Sequence, residues 1–198
     1  MKNSPFYLIL FCYVAAFGQS SFIQTKSGNK IDFLKNSIQV VVLDKIVAYK
    51  TPSGSTKEIS FNDIDVAYFG SYKFKSFKFS ENKNNYCYFV LAESKDKTMI
   101  CIGVPDADSE DEAVNARVKY ELFVLDSSNK VVDALIFSNQ KNEKGAKSRS
   151  EVHDFIRRNF EDCLNVMDRF ADYDKSSLPQ FIGILGFFTQ PNFVNCVN

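Results

Sequence analysis

Several residue types that often mark a function are scarce in this sequence. Its 198 residues include no tryptophan and a single histidine, His153. Tryptophan often forms the platform for a sugar ring because of its large flat face, and histidine is the commonest general base near neutral pH. His153 falls on the polar side of a predicted helix, and the sequence contains no G-x-S-x-G nucleophile motif. We therefore expect no catalytic residue from these signals.

An excess of charge of one sign is also missing. The chain carries 24 basic and 24 acidic residues, so the two signs balance. A protein that binds nucleic acid normally presents a basic surface to the phosphates. We therefore expect no nucleic-acid partner.

The common motifs for metal ions and phosphates are absent from the sequence. There is no H-E-x-x-H motif, no closely spaced pair of cysteines or histidines, and no glycine-rich phosphate loop. Five carboxylates lie between residues 106 and 112, but they lack the glycine and the final glutamate of an EF-hand. We interpret this stretch as a solvated acidic loop, and we expect neither a metal site nor a cofactor.

No apolar run reaches the roughly 20 residues of a membrane helix, so we expect no transmembrane segment in the mature chain. The N-terminus instead has the pattern of a secretory signal. A positive charge precedes an apolar run over residues 6–16, and Ala16 and Gly18 are small residues at the −3 and −1 positions of a cleavage site. This pattern predicts a cleaved signal peptide over residues 1–18 and a single exported domain, periplasmic or secreted, over residues 19–198.

Removal of the signal leaves four cysteines, which are Cys87, Cys101, Cys163 and Cys196. Because cysteines pair in oxidising compartments, we expect one disulfide between Cys87 and Cys101 and another between Cys163 and Cys196. The first two flank a predicted turn almost symmetrically and should point to the same face of a sheet. The alternative is that some of the four are free, buried thiols.

The clearest secondary-structure signal is a helix from Ser148 to Phe170. Ser148 and Glu151 have the spacing of a capping box, which starts a helix. Apolar residues then recur at intervals of three and four, which places them on one face of a helix. They are Val152, Phe155, Ile156, Phe160, Cys163, Leu164, Met167 and Phe170. We predict one amphipathic helix over residues 148–170 that covers a sheet.

Most of the chain before this helix has the pattern of short β-strands joined by turns. The runs 118–125 and 131–137 are apolar at nearly every position, which predicts the most covered part of the sheet. Within residues 70–79 the apolar side flips near residues 75 and 76, which predicts that the strand twists or bends there. The apolar segment 180–189 follows a proline, which favours a short buried helix.

Together these elements predict an α+β fold. We expect a mainly antiparallel β-sheet, either bent or a partly open barrel, closed by one C-terminal amphipathic helix and followed by a short apolar segment. Strands followed by a terminal helix occur in many folds, so this element order implies no function.

One strand offers candidate binding residues. Aromatic and basic residues alternate in Tyr72, Lys73, Phe74, Lys75 and Phe77. Such alternation is typical of an aromatic and basic binding face. The alternative is a strand with one buried and one solvated face, in which the lysines carry no ligand.

The sequence favours an exported, non-enzymatic binding or interaction domain. Its ligand would be a protein, a small molecule or a carbohydrate. Two other functions stay open: a hydrolase whose carboxylate or cysteine site is assembled from separated residues, and a structural component of the cell envelope.

Overall fold

A computed structural model of the chain describes residues 21–79, 85–105, 118–138, 143–175 and 180–196. The predicted signal peptide, residues 1–18, and the predicted acidic loop, residues 106–112, lie outside the described residues. None of the helices described is both long enough and apolar enough to cross a membrane.

The described residues form twelve strands and three helices. The strands are β1 (Phe22–Thr25), β2 (Lys30–Asp32), β3 (Gln39–Val41), β4 (Ile46–Lys50), β5 (Thr56–Ser60), β6 (Ile64–Phe69), β7 (Tyr72–Phe77), β8 (Tyr86–Glu93), β9 (Lys97–Pro105), β10 (Val118–Asp126), β11 (Val131–Ser138) and β12 (Val194–Asn195). The helices are α1 (Glu143–Phe160), α2 (Leu164–Asp174) and α3 (Gln180–Thr189).

Two antiparallel sheets organise the fold. The main sheet has nine strands, in the order β11-β10-β9-β8-β7-β6-β1-β2, and β12 joins it by pairing with β8 in parallel. The small sheet has three strands, in the order β3-β4-β5. The main sheet is not closed into a barrel. The predicted α+β class, with a mainly antiparallel sheet, is confirmed.

A continuous row of directly paired apolar residues crosses the main sheet on one face. Residues that pair across neighbouring antiparallel strands point to the same side. From β2 to β11, the row consists of Ile31, Ile23, Ala67, Phe74, Phe89, Cys101, Leu122 and Leu135. This face therefore needs an apolar cover along its whole width.

Two separate layers provide that cover. The small sheet covers the β1, β6 and β7 end, where Val47 and Tyr49 of β4 are buried in one cluster with Phe74. The three helices cover the β9 to β11 end, where Phe155 of α1 is buried in one cluster with Leu122. The boundary between the two covers falls in the middle of the row, at Phe89 and Cys101.

The strand β7 is buried on both faces. Phe74 packs under the small sheet, whereas Phe77 belongs to a third cluster on the opposite face with Tyr88 and Val90. The pairing of β7 with β6 and β8 continues without a register shift from Tyr72 to Phe77. The apolar side changes near residue 75 because the apolar residues before and after it cover two different cores. No register shift accompanies the change, and the predicted twist or bend stays a prediction.

The predicted single helix over residues 148–170 is also wrong. The chain forms α1 and α2, which are separated at Cys163, and Ser148 lies inside α1 rather than at its start. Cys163 has an extended backbone with φ −95° and ψ 90°, and its carbonyl oxygen accepts hydrogen bonds from the N–H groups of Val166 and Met167. The break rotates the apolar face of the second segment, so Val166 is buried and Leu164 is exposed.

The hairpin of β10 and β11 is predicted to be covered on both strands, but the burial of β11 differs from that prediction. Leu122 and Val124 of β10 are buried as predicted, but β11 is an edge strand of the main sheet, with Val132 and Ile136 exposed. The helix α1 covers only the other face of β11. There Arg158 donates a hydrogen bond to Asp133, with Nε 2.6 Å from Oδ2, and this bond lowers the pKa of the carboxyl group. The apolar run 131–137 therefore did not indicate a strand that is covered on both faces.

The apolar segment 180–189 forms a helix, as predicted. Its Gly186 lies where α3 crosses α2: a Cβ atom at Gly186 would be 2.6 Å from two ring carbons of Tyr173. Two carbon atoms cannot approach that closely without displacement. The glycine therefore allows the two helices to pack tightly, although glycine weakens an isolated helix.

Replacing Gly186 with alanine is expected to lower the free energy of unfolding by about 1 to 3 kcal/mol, despite the higher helix propensity of alanine. Chemical denaturation followed by circular dichroism measures this change. In a Tyr173→Leu background, which removes the ring, the same substitution should lower the free energy of unfolding by a smaller amount. An equal cost in both backgrounds would show that the ring contact is not the cause.

Candidate ligand cavity

A cavity of about 410 Å³ lies at the boundary between the two covers of the main sheet. Phe89 and Cys101, the middle of the apolar row, form part of its lining. The small sheet contributes Val40, and the helical layer contributes Phe188. The cavity arises because the small sheet and the helices cover neighbouring parts of one sheet face without filling the space between them. We call it the ligand cavity.

Aromatic rings line the ligand cavity in two groups, one towards the small sheet and one towards the helices. On the small-sheet side, the rings of Phe69 and Phe89 are 6.0 Å apart, and that of Tyr72 is 5.5 Å from Phe69. On the helix side, the Tyr120 ring lies 5.8 Å from the ring of Phe188. Edge-to-face and tilted ring pairs at these distances hold one another in place. The cavity therefore has preformed apolar walls.

Gly103 keeps space open beside Tyr120. The two residues are directly paired on β9 and β10. A Cβ atom at Gly103 would be 3.0 Å from Cγ1 of Val118 and 3.2 Å from Cε1 of Tyr120. A larger residue would push the tyrosine ring, so glycine at this position sets the shape of the helix-side wall.

The described residues that line the ligand cavity carry no formal charge. Their polar side-chain atoms are the hydroxyls of Tyr72, Tyr120 and Thr189 and the thiol of Cys101. Burial raises the pKa of Tyr120 to about 12, and it raises the pKa of Cys101 further above its ordinary value. Both groups therefore stay protonated near neutral pH and present neutral hydrogen-bonding groups.

A second, more polar pocket adjoins the ligand cavity. It has a volume of about 350 Å³ and shares Ile38, Phe69 and Tyr72 with the cavity. Its remaining described lining contains hydroxyl and amide groups, from Ser21, Asn36 and Ser71, together with Gly70. We call it the outer pocket. Tyr72 belongs to both spaces, so one molecule can contact the apolar and the polar parts of the site.

The chain segment 190–196, which we call the strap, closes the helix side of the site with Pro191 in the cavity lining. The Phe193 N–H donates to the Ser71 carbonyl oxygen at 2.7 Å, and the Cys196 N–H donates to the Glu93 carbonyl oxygen at 2.7 Å. These bonds place the strap beside the last residue of β8 and next to the start of β7. The strap thus connects the helical layer to the main sheet next to the cavity.

Arg169 of α2 fastens the start of the strap. Its guanidinium group donates to the carbonyl oxygens of Phe187, Gln190 and Asn192. Phe187 lies in the last turn of α3, where carbonyl groups have no partner within the helix and carry partial negative charge that a cation satisfies. Gln190 and Asn192 belong to the strap. Burial lowers the pKa of Arg169 below its ordinary value. We interpret Arg169 as a structural cap of α3.

A disulfide fixes the end of the strap. Cys163 and Cys196 are bonded, with their Cα atoms 5.5 Å apart. The predicted pairing of these two cysteines is therefore confirmed. It joins the break between α1 and α2 to the strap, so the same residue that separates the helices also anchors the cavity wall.

The predicted disulfide between Cys87 and Cys101 is wrong, because both cysteines are free and buried. Cys101 is paired with Phe89, so Cys87 lies two residues away along β8. Diagonal neighbours of this kind have Cα atoms about 7 to 8 Å apart, which is too far for a disulfide. Burial raises the pKa of Cys87 to about 12, and a thiol that stays protonated is a poor nucleophile.

The five predicted binding residues are divided between the two faces of β7. Tyr72 lines the ligand cavity and the outer pocket, and Phe74 is buried beside it, with its ring 4.9 Å from that of Phe89. Lys73, Lys75 and Phe77 lie on the opposite face. The five therefore form no common surface, and only Tyr72 contributes to the site described here.

On that opposite face, Lys73 is engaged in structural contacts. Its Nζ atom lies 2.6 Å from Oε2 of Glu93 and 4.7 Å from the centre of the Phe193 ring. The Lys75 ammonium lies 5.5 Å from the centre of the Phe77 ring. Lys73 thus helps to hold the strap in place and is not part of a solvated surface.

Sequence reasoning missed most of the cavity residues. Ile38, Phe69, Phe89, Tyr120 and Phe188 come from separate elements, and each reads in the sequence as an ordinary core residue. No spacing rule relates them, because they meet only after both sheets and α3 have packed. Among the described residues, no group of three or more histidine, cysteine, aspartate or glutamate side chains is placed to hold a metal ion.

Comparison of the chain with protein-family models, with curated proteins and with solved structures found no match in any of the three.

Proposed function

We propose that this protein is an exported, non-enzymatic binding domain, and that its ligand occupies the ligand cavity. The observation that supports this proposal is a cavity with aromatic walls whose described lining residues are uncharged. It is located where two covering layers meet on one face of the main sheet. Binding sites for small molecules are concave, largely apolar and commonly about 300 to 1,000 Å³ in volume. A cavity of about 410 Å³ falls within that range.

Export is part of this proposal and has two supports. The pattern of residues 1–18 is typical of a secretory signal. The disulfide between Cys163 and Cys196 suits an oxidising compartment, where such bonds persist. A binding role is supported by the preformed walls, since a rigid site loses little conformational entropy when it binds.

A cavity-filling substitution tests the proposal. The purified protein should bind the neutral fluorescent probe N-phenyl-1-naphthylamine saturably, with one site per chain. Val40→Trp places a large ring in the cavity, and we expect it to weaken probe binding at least about tenfold. The measurement is a fluorescence titration, with circular dichroism to show that the variant is folded.

Gln39→Trp is the matched control, because Gln39 is the exposed neighbour of Val40 on β3 and does not line the cavity. It should bind the probe like the unsubstituted protein. Equal binding by all three proteins, or no saturable binding by any of them, would overturn the proposed function.

A further inference from the structure

The two adjoining spaces differ in chemistry in a way that defines a ligand class. The ligand cavity offers aromatic and aliphatic walls, whereas the outer pocket offers the hydroxyls of Ser21 and Ser71 and the amide of Asn36. Tyr72 lines both. A molecule that filled both spaces would need an apolar part and a polar part joined at Tyr72.

The charges at the site determine what the polar part can be. None of the described residues that line either space is charged. A charged ligand group placed there would lose its hydration without gaining an opposite charge from these described residues, which is unfavourable. Hydroxyl and amide groups, in contrast, can exchange hydrogen bonds with Asn36 and Tyr72. The Ser71 hydroxyl, which donates to Oδ1 of Asn192, can accept a further hydrogen bond.

Arg169 is the nearby cation to consider, because it interacts electrostatically with Tyr72. Its guanidinium group is already bonded to one carbonyl oxygen in the last turn of α3 and to two in the strap, and Arg169 lines neither space. Those carbonyls carry partial negative charge and satisfy part of the guanidinium group, whereas its buried Nε has no hydrogen-bond partner among the described residues. Because Arg169 lines neither space, we do not assign it to the head of the ligand.

We propose that the ligand is a neutral amphiphile: its acyl or similar apolar chain occupies the ligand cavity, and its hydroxyl-bearing or amide-bearing head lies in the outer pocket. This inference rests on the proposed function. A monoacylglycerol represents the class, because it combines one acyl chain with an uncharged diol head.

Displacement of N-phenyl-1-naphthylamine tests the inference. We expect 1-monodecanoylglycerol, below its critical micelle concentration, to displace the probe, and we expect decanoate and decylammonium to be at least about tenfold weaker. The three competitors share a ten-carbon chain and differ in the charge of the head. Equal or stronger displacement by either charged competitor would overturn the inference.

Asn36→Gly isolates the outer pocket from the ligand cavity. Asn36 has a positive φ of 61°, which glycine adopts without strain, so the substitution removes the amide while keeping the backbone. Loss of one hydrogen bond should weaken 1-monodecanoylglycerol about 3- to 10-fold, measured by displacement of the probe after the probe's own affinity for the variant has been determined. An unchanged affinity for 1-monodecanoylglycerol would contradict the assignment of its head to this pocket.

Failure of this inference can be distinguished from failure of the proposed function. If the probe binds and Val40→Trp weakens it, but 1-monodecanoylglycerol does not displace it, the cavity binds a ligand of another class and only this inference is overturned. If the probe does not bind at all, the proposed function is overturned as well.

Discussion

Replacing Phe160 with aspartate is expected to unfold the protein. Phe160 ends α1, is 3% exposed, and packs in the helical cluster. Loss of a buried phenylalanine side chain costs about 3 to 5 kcal/mol, and burial of an unpaired carboxylate adds several kcal/mol more. The sum is comparable with the total stability of a domain, about 5 to 15 kcal/mol.

Leu164→Asp is the matched control. In one continuous helix, Leu164 would lie one turn after Phe160 on the same face. In the structure it is 73% exposed at the start of α2, where a negative charge is favourable. We therefore expect Leu164→Asp to keep the protein folded, with a melting temperature close to that of the unsubstituted chain.

Circular dichroism and thermal melting separate the possible outcomes. If the Phe160→Asp variant unfolds and the Leu164→Asp variant stays folded, the result supports the break at Cys163. Unfolding of both variants would instead indicate one continuous helix with both residues buried. A folded Phe160→Asp variant would show that this end of α1 is not part of the core.

The double substitution Cys163→Ser and Cys196→Ser is expected to produce the second large effect. The two cysteines are 33 residues apart in sequence. In the chain-entropy model, a link across a loop of this length stabilises the folded state by about 3 to 4 kcal/mol. For a domain of this size, such a loss lowers the melting temperature by about 6 to 16 °C.

A reducing agent provides the control for the disulfide. Reduction should lower the melting temperature of the unsubstituted protein by a similar amount and leave the double variant unchanged. Alkylation of the unfolded, non-reduced protein should modify Cys87 and Cys101 but not Cys163 or Cys196. Alkylation of all four, or an unsubstituted protein that is insensitive to reduction, would contradict the disulfide.

The elements that could be predicted from the sequence depend on short-range interactions. The hairpin of β1 and β2 turns at Gly28, whose φ is 85°, and that of β3 and β4 turns at Lys45, whose φ is 55°. The strands on each side are short and are separated by turns of hairpin length. A turn and its two strands lie within a few residues of each other, so the pattern contains the information needed.

Longer-range arrangements could not be predicted in the same way. β5 and β6 are separated only by residues 61–63, yet they belong to different sheets. The break at Cys163 has no proline or glycine to mark it, and it arises where the chain meets the strap through a disulfide. The ligand cavity depends on both, because it lies between the layers that these two departures create.

The strap also affects the order in which the fold can form. β12 pairs with β8, so Val194 lies beside Ala92, about a hundred residues earlier in the sequence. Contacts between such distant residues carry a large loop-closure cost and slow folding, whereas the hairpins from β6 to β11 close locally. We therefore expect the meander of the main sheet to form first and the strap to dock late. The cavity wall that includes Pro191 would then be among the last parts of the site to be completed.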